Sequence, residues 1–204
     1  MKKIIISAAI LLLGIGSSKA QFEIGNLSIG AGLAPTYYSW IPREYGDSFS
    51  GMMAVTPMVK VQYENDEGFF YGDFSMPSKK YDYASGLATL EISYINLNAG
   101  YGRYFVGSGD DDLSVYGKVG GGLSMYTIKT DIPALGYSQT DEDGNWTINL
   151  GVGSSFSVSD AIKVFADLGY AFSSGTYASS NAASTATYGL GNGFLQIGAR
   201  YRFQ

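Results

Sequence analysis

The 204 residues contain no cysteine and no histidine. These two absences exclude Ser-His-Asp triads, cysteine nucleophiles, Cys/His zinc sites, thiolate-held iron-sulfur clusters and every disulfide. Charge is sparse too, at 15% of residues against a usual ~25%. Phosphate-binding Gly-x-x-x-x-Gly-Lys-Ser/Thr, Ser-x-x-Lys and Gly-x-Ser-x-Gly patterns are all missing. Gly120-Gly121-Gly122 and Gly189 to Gly193 lack the spacing of a dinucleotide loop and suggest close strand approach. Neither catalysis nor a cofactor is therefore expected.

Only one long apolar run exists, and it is N-terminal. Lys2 and Lys3 precede apolar residues from Ile4 to Ile15, and Ser17-Ser18-Lys19-Ala20 closes the segment with small residues. This is the layout of a cleaved secretory signal peptide over residues 1–20, too short for a membrane helix. Its removal takes three lysines, leaving 10 basic against 18 acidic side chains over residues 21–204. So acidic an exported chain is not expected to bind nucleic acid.

What is abundant is glycine, with 28 residues, and aromatics, with 17 Tyr and 11 Phe. From Gln21 onward the dominant period is two. Leu113, Val115, Val119, Leu123 and Met125 alternate with Ser114, Tyr116, Lys118 and Ser124; Trp146, Ile148, Leu150, Val152 and Phe156 alternate with Thr147, Asn149 and Ser155. Ile162 to Phe172 and Leu195 to Phe203 repeat the pattern. Four noisier strands precede these: Leu27 to Tyr38, Met53 to Tyr63, Phe69 to about Pro77, and Leu90 to Phe105. In the last the phase slips near Tyr94 and Ile95, which predicts a β-bulge. Pro35 and Pro57 belong at bulges or strand ends.

Connections alternate in length. Asn65 to Gly68, Gly107 to Asp112 and Ser159 to Ala161 are short; Ile41 to Gly51, Ser78 to Ala88, Thr130 to Asn145 and Ser173 to Gly191 are long and polar. Eight antiparallel up-and-down strands with short turns on one side and long loops on the other produce this rhythm. A soluble lipocalin-type barrel would alternate as well. Charges in mid-strand on the face opposite the apolar one argue for a membrane barrel with a polar lumen, because a dry core would not accept them unpaired. The expected lumen network is Lys60, Glu91, Lys118, Lys163, Asp167, Arg200 and Arg202, with the facing of Arg103 open. Aromatics at strand ends, including Trp40, Trp146, Tyr170 and Phe172, fit interfacial girdles.

From the leader through the eight strands to Gly198-Ala199-Arg200-Tyr201-Arg202-Phe203, the chain resembles the small outer-membrane β-barrels of OmpA/OmpX type. The resemblance implies a monomeric all-β barrel over residues 21–204 in the outer membrane of a Gram-negative-type cell. Its implied partners are outer-membrane lipid, the barrel-assembly machinery and an external ligand. It also implies that Tyr201 and Phe203 form the C-terminal signal read by that machinery, although here Phe203 is penultimate and Gln204 is last. An eight-stranded lumen is just wide enough for side chains to fill. The expected role is structural or surface interaction through the external loops, the alternative being a narrow porin-like channel. Two acidic stretches, Asp110 to Asp112 and Asp141 to Asn145, lack calcium-loop spacing and are expected to be solvated.

Overall fold

The computed structural model describes residues 24–38, 52–65, 67–83, 87–178 and 185–203. The expected leader and Trp40 lie outside these residues. Among the described residues nine strands follow in order: β1 (Leu27–Tyr38), β2 (Met52–Glu64), β3 (Gly68–Ser75), β4 (Ser78–Tyr83), β5 (Ala88–Val106), β6 (Leu113–Ile132), β7 (Tyr137–Ser157), β8 (Ile162–Ala178) and β9 (Thr185–Arg202). Sequential strands other than β3 and β4 pair antiparallel, β1 pairs with β9 and β3 pairs with β5, so the sheet closes on itself. Strands β3 and β4 keep one register against β5, with Ser75 opposite Asn96 and Ser78 opposite Ser93. They are a single stave broken at Met76-Pro77, where proline has no N–H to donate, and the barrel has eight staves.

The register measures the tilt. A hydrogen-bonded row starting at Leu27 passes through Tyr63, Phe70, Tyr101, Val119, Leu150, Tyr170 and Gly193 and returns to β1 at Tyr37. The return lies ten residues from the start, which is the shear of the barrel. With ~3.3 Å per residue and ~4.8 Å between strands, ten residues of shear around eight staves tilt the strands by about 40° and set a backbone radius of about 8 Å. Each residue then climbs ~2.5 Å along the axis.

That rise explains the outer surface. On β7, Trp146 and Phe156 both point outward and lie ten residues apart, ~25 Å along the axis, which is the height of the apolar band of an outer-membrane barrel. Between them Ile148, Leu150 and Val152 are exposed, as are Val164 and Leu168 on β8 and Leu195 and Ile197 on β9. Aromatics collect at the two margins: Tyr37, Trp146, Tyr170 and Phe172 at one, Phe70, Phe105, Phe156 and Tyr201 at the other.

Strand β6, with 20 residues, climbs about twice that height. Above Met125 its outer face turns polar, through Thr127, Lys129 and Asp131, while inside it Tyr126 and Ile128 are buried. The same inversion occurs on β5. Leu90, Ile92 and Tyr94 join Ala54, Tyr126 and Ile128 in a buried apolar cluster, whereas lower down Asn96 and Asn98 face inward and Leu97 outward. The phase slip expected at Tyr94 and Ile95 is therefore not a bulge. Pairing runs unbroken there, and the irregularity falls at Tyr104/Val106. What changes is the solvent: below this point the outside is lipid and the lumen polar, and above it the outside is water and the interior a conventional apolar core.

Of the four long loops expected, Ile41 to Gly51 lies outside the described residues and the other three shrink. Residues expected as the Ser78 to Ala88 and Thr130 to Asn145 loops belong largely to strands, and the β6–β7 connection narrows to the 3-10 helix Pro133–Leu135 with Gly136 in the left-handed region at φ +59°. Much of the Ser173 to Gly191 segment also continues β8 and β9. Pro35 and Pro57 sit mid-strand rather than at ends. Pairing of β1 with β9 lapses at Ala34 and Pro35, and pairing of β2 with β3 starts only after Pro57, so neither missing N–H interrupts a continuous ladder.

The glycines have a packing reason. A Cβ on Gly102 would come within 2.2 Å of the Phe69 ring, and one on Gly153 within 2.1 Å of Asp167 Oδ1 and 2.6 Å of Tyr116. Large inward side chains in an ~8 Å barrel lie flat across glycines of neighbouring staves.

Candidate functional site

One level of the lumen brings together side chains from five staves. Asp167 on β8 is fully buried, and its Oδ2 accepts from Lys60 Nζ at 2.5 Å and from Lys118 Nζ at 2.8 Å. The Tyr116 hydroxyl donates to the other oxygen at 2.6 Å. Lys60 also lies 4.7 Å from the centre of the Phe165 ring, and Lys118 5.1 Å from that of Phe194. Phe69 meets Tyr116 edge-on at 4.8 Å. Both ammonium groups are thus enclosed by a shared carboxylate and aromatic faces, an arrangement that offsets desolvation in a site without bulk water.

Above this level the lumen is amide-rich. Lys118 donates to Gln196 Oε1 at 3.0 Å, Asn98 Nδ2 to Asp73 Oδ1 at 2.7 Å, and Asn149 Nδ2 to Asn98 Oδ1 at 2.8 Å. With Asp73 included, the two lysines and two aspartates balance. Below it, Arg200 pairs with Glu64 at 3.1 Å and donates to Ser155 Oγ at 3.3 Å. At the short-turn end Arg202 reaches Asp110, Glu64 and the Gly25 carbonyl, while Lys163 donates to the carbonyls of Gly109 and Asp111. The Asp110 to Asp112 turn is thereby strapped across the barrel end.

Six of the seven charges expected in the lumen face inward. Lys60, Lys118 and Asp167 share one cluster, Arg200 belongs to the next layer down, and Lys163 and Arg202 bind turn backbone and rim groups. Glu91 is a correction: it is exposed on the outer face, in register with Lys80 and Lys129, because it stands above the inversion where polar residues point to water. Arg103 is also outward, in an exposed 3.5 Å pair with Glu67 of the kind that contributes little. Sequence reasoning missed Glu64, Asp73 and Tyr116. Glu64 was readable, since it continues the inward series Lys60, Gln62. Of the interfacial aromatics, Trp146, Tyr170 and Phe172 are outward and exposed, and so is Tyr201, whose ring packs edge-on against Phe203 at 5.5 Å. The side chains of Asp141 and Asp143 lie outside the described residues, but their backbone belongs to β7 rather than to a loop.

A closed barrel with an apolar band of membrane height, aromatic margins and an ion-paired interior is an integral outer-membrane β-barrel. Residues 99–204 match the model of the OmpA-like transmembrane domain. That is more than half of the chain, which belongs to this family. Solved structures with the same fold include the attachment invasion locus protein Ail of Yersinia pestis in complex with the heparin analogue sucrose octasulfate, at 19% identity and TM-score 0.56, covering 87% of this chain and 97% of Ail. Neisserial surface protein A is similar at 14% identity and TM-score 0.55, with the same coverage. A major outer membrane protein from Thermus thermophilus is similar at 12% identity and TM-score 0.58, covering 87% of this chain and 99% of its own. No curated protein matches the sequence.

Proposed function

We propose that this barrel is a non-catalytic surface-interaction protein: a closed membrane anchor that carries a β-sheet platform outside the cell. The observation that carries the reading is the inversion on β5 and β6. Both strands run well past the apolar band and there acquire the buried core and polar exterior of a water-exposed sheet. The outer face of that sheet presents Lys80, Glu91 and Lys129 in cross-strand register. Inside the membrane, the Lys60–Asp167–Lys118 cluster and its aromatic walls occupy the lumen, which favours a filled barrel over a conducting one. The leader over residues 1–20 would deliver the chain for export, and Tyr201 with Phe203 would present the strand to the assembly machinery. That Ail was solved with a heparin analogue makes a sulfated glycan a first probe for the platform.

The test compares cells displaying the full barrel with cells displaying one in which residues 127–142 are replaced by a two-residue turn, leaving the membrane band whole. Retention on heparin-coated and on mammalian-cell-coated surfaces is measured, with folding checked by the gel shift between unheated and boiled samples. Several-fold lower retention of the trimmed barrel on either surface is expected. Equal retention on both overturns the proposal.

A further inference from the structure

Strand β4 is paired on one side only. Among the described residues β5 is its single strand partner, and the β2–β3 ladder stops at Met58 opposite Ser75, so β2 and β4 run past each other unpaired. Tyr94 N–H donates to the Pro77 carbonyl at 2.8 Å, and hydrogen-bonded pairs alternate along an antiparallel ladder. Lys79 and Tyr81 therefore bond β5, while the N–H and C=O groups of Ser78, Lys80 and Asp82 point to the open side. On β2, where Asn65 N–H donates to the Gly68 carbonyl at 2.9 Å, the same alternation turns the backbone of Met53 and Val55 towards β4, and Pro57 has no N–H to offer there. Phe74 shares a row with Trp146 that drops ~3 Å per stave. Ser78 follows Phe74 at ~2.5 Å of rise per residue, so the open edge begins level with Trp146 and continues into water.

We infer that this edge takes up an extended, acidic segment of another protein as an added strand. A row of alternating backbone donors and acceptors at strand spacing is satisfied as a whole by another extended backbone. Side chains on the edge select its charge. Lys80 points outward and Lys79, like Tyr81, to the inner side, and both lysines are exposed. Two consecutive acidic residues on the incoming strand would meet one lysine on each face. Edge lysines discourage pairing with an apolar or basic strand and favour an acidic one. Met53 and Val55, 65% and 62% exposed on the facing strand, offer apolar contact to the remaining side chains. The inference rests on the outer sheet being a binding platform and names the partner class for one of its edges.

The experiment follows backbone amide exchange in the refolded full barrel in nanodiscs during titration with the capped peptide Thr-Val-Glu-Glu-Thr-Val. Two control peptides carry lysine for both glutamates, or N-methyl groups along the bonding edge. Before peptide is added, the amides of Ser78, Lys80 and Asp82 should exchange quickly and those of Lys79 and Tyr81 slowly. Binding of the acidic peptide, saturable and of order 0.1 mM, should slow the first three about tenfold or more. Lys80→Pro removes an N–H on the open side and leaves the β4–β5 ladder whole, so it should pass the heat-shift test for folding and abolish binding. Lys80→Glu should weaken binding about fivefold. The N-methylated peptide, which should not bind, makes the same test without altering the protein. Slow exchange of the three amides before peptide is added, no saturable binding, equal binding of the N-methylated peptide, or binding unchanged in Lys80→Pro would overturn the edge. Equal binding of the lysine peptide would overturn the acidic class. Absent peptide binding alongside retention that still falls on trimming residues 127–142 would reject the edge alone, whereas equal retention rejects the platform.

Discussion

Replacing Asp167 by Asn keeps the side chain's shape and removes the one carboxylate shared by Lys60, Lys118 and Tyr116. Two ammonium groups would then remain in a space where both are almost fully buried, with only Asp73, one level higher, to balance them. Leaving a buried charge uncompensated costs about 3–5 kcal/mol, and Asn retains part of the hydrogen bonding, so a loss near ~3 kcal/mol is expected. Lys118→Met alone should be milder, because the Lys60–Asp167 pair survives. The double variant leaves Lys60 against Asp73 and should cost clearly less than the sum of the singles, with a coupling of about 2 kcal/mol. Urea unfolding in phospholipid vesicles, followed by tryptophan fluorescence, provides the cycle. A loss below about 1 kcal/mol for Asp167→Asn, or additive singles, would refute the claim that this cluster stabilises the barrel as one unit.

Three further outcomes follow from the geometry. Gly153→Ala should severely impair folding, because its Cβ would collide with Asp167 and Tyr116, whereas Gly193→Ala, with nothing within 4 Å, should be silent in the same heat-shift assay. Leu168→Arg, in the middle of the band, should cost about 2–4 kcal/mol, and Thr127→Arg, above it, less than about 0.5 kcal/mol; equal costs would show the band to be misplaced. Asp131, on the outer extension, is held below the ordinary carboxylate range, first by the hydrogen bond from Ser138 and then by Lys129. A depressed carboxylate stabilises the fold above its unfolded value and loses that effect as pH falls through its folded value. NMR titration should therefore find its midpoint rising in Ser138→Ala.

How much of this was readable depended on which solvent each segment meets. Within the band, outward apolar and inward polar residues share one period, so β1 is bounded in the sequence as in the structure, and Lys60, Lys118, Asp167 and Arg200 were assignable to the lumen from alternation alone. Above the band the same period carries the opposite polarity. Polarity alone then puts Glu91 on the wrong face, turns the join on β5 into an apparent bulge, and makes the Thr130 to Asn145 strands look like a loop. Glu64 was lost because strand β2 was ended one residue early, at Tyr63. The glycine–aromatic packing that seats Tyr116 and Phe69 depends on which residues face each other across staves, and that requires the register.

The most direct test of a closed barrel is planar-bilayer conductance of the refolded chain from Gln21 to Gln204, with insertion verified by the heat-dependent gel shift. Inserted but electrically silent protein is the predicted result. Discrete conductance steps would contradict the filled lumen and favour a narrow channel.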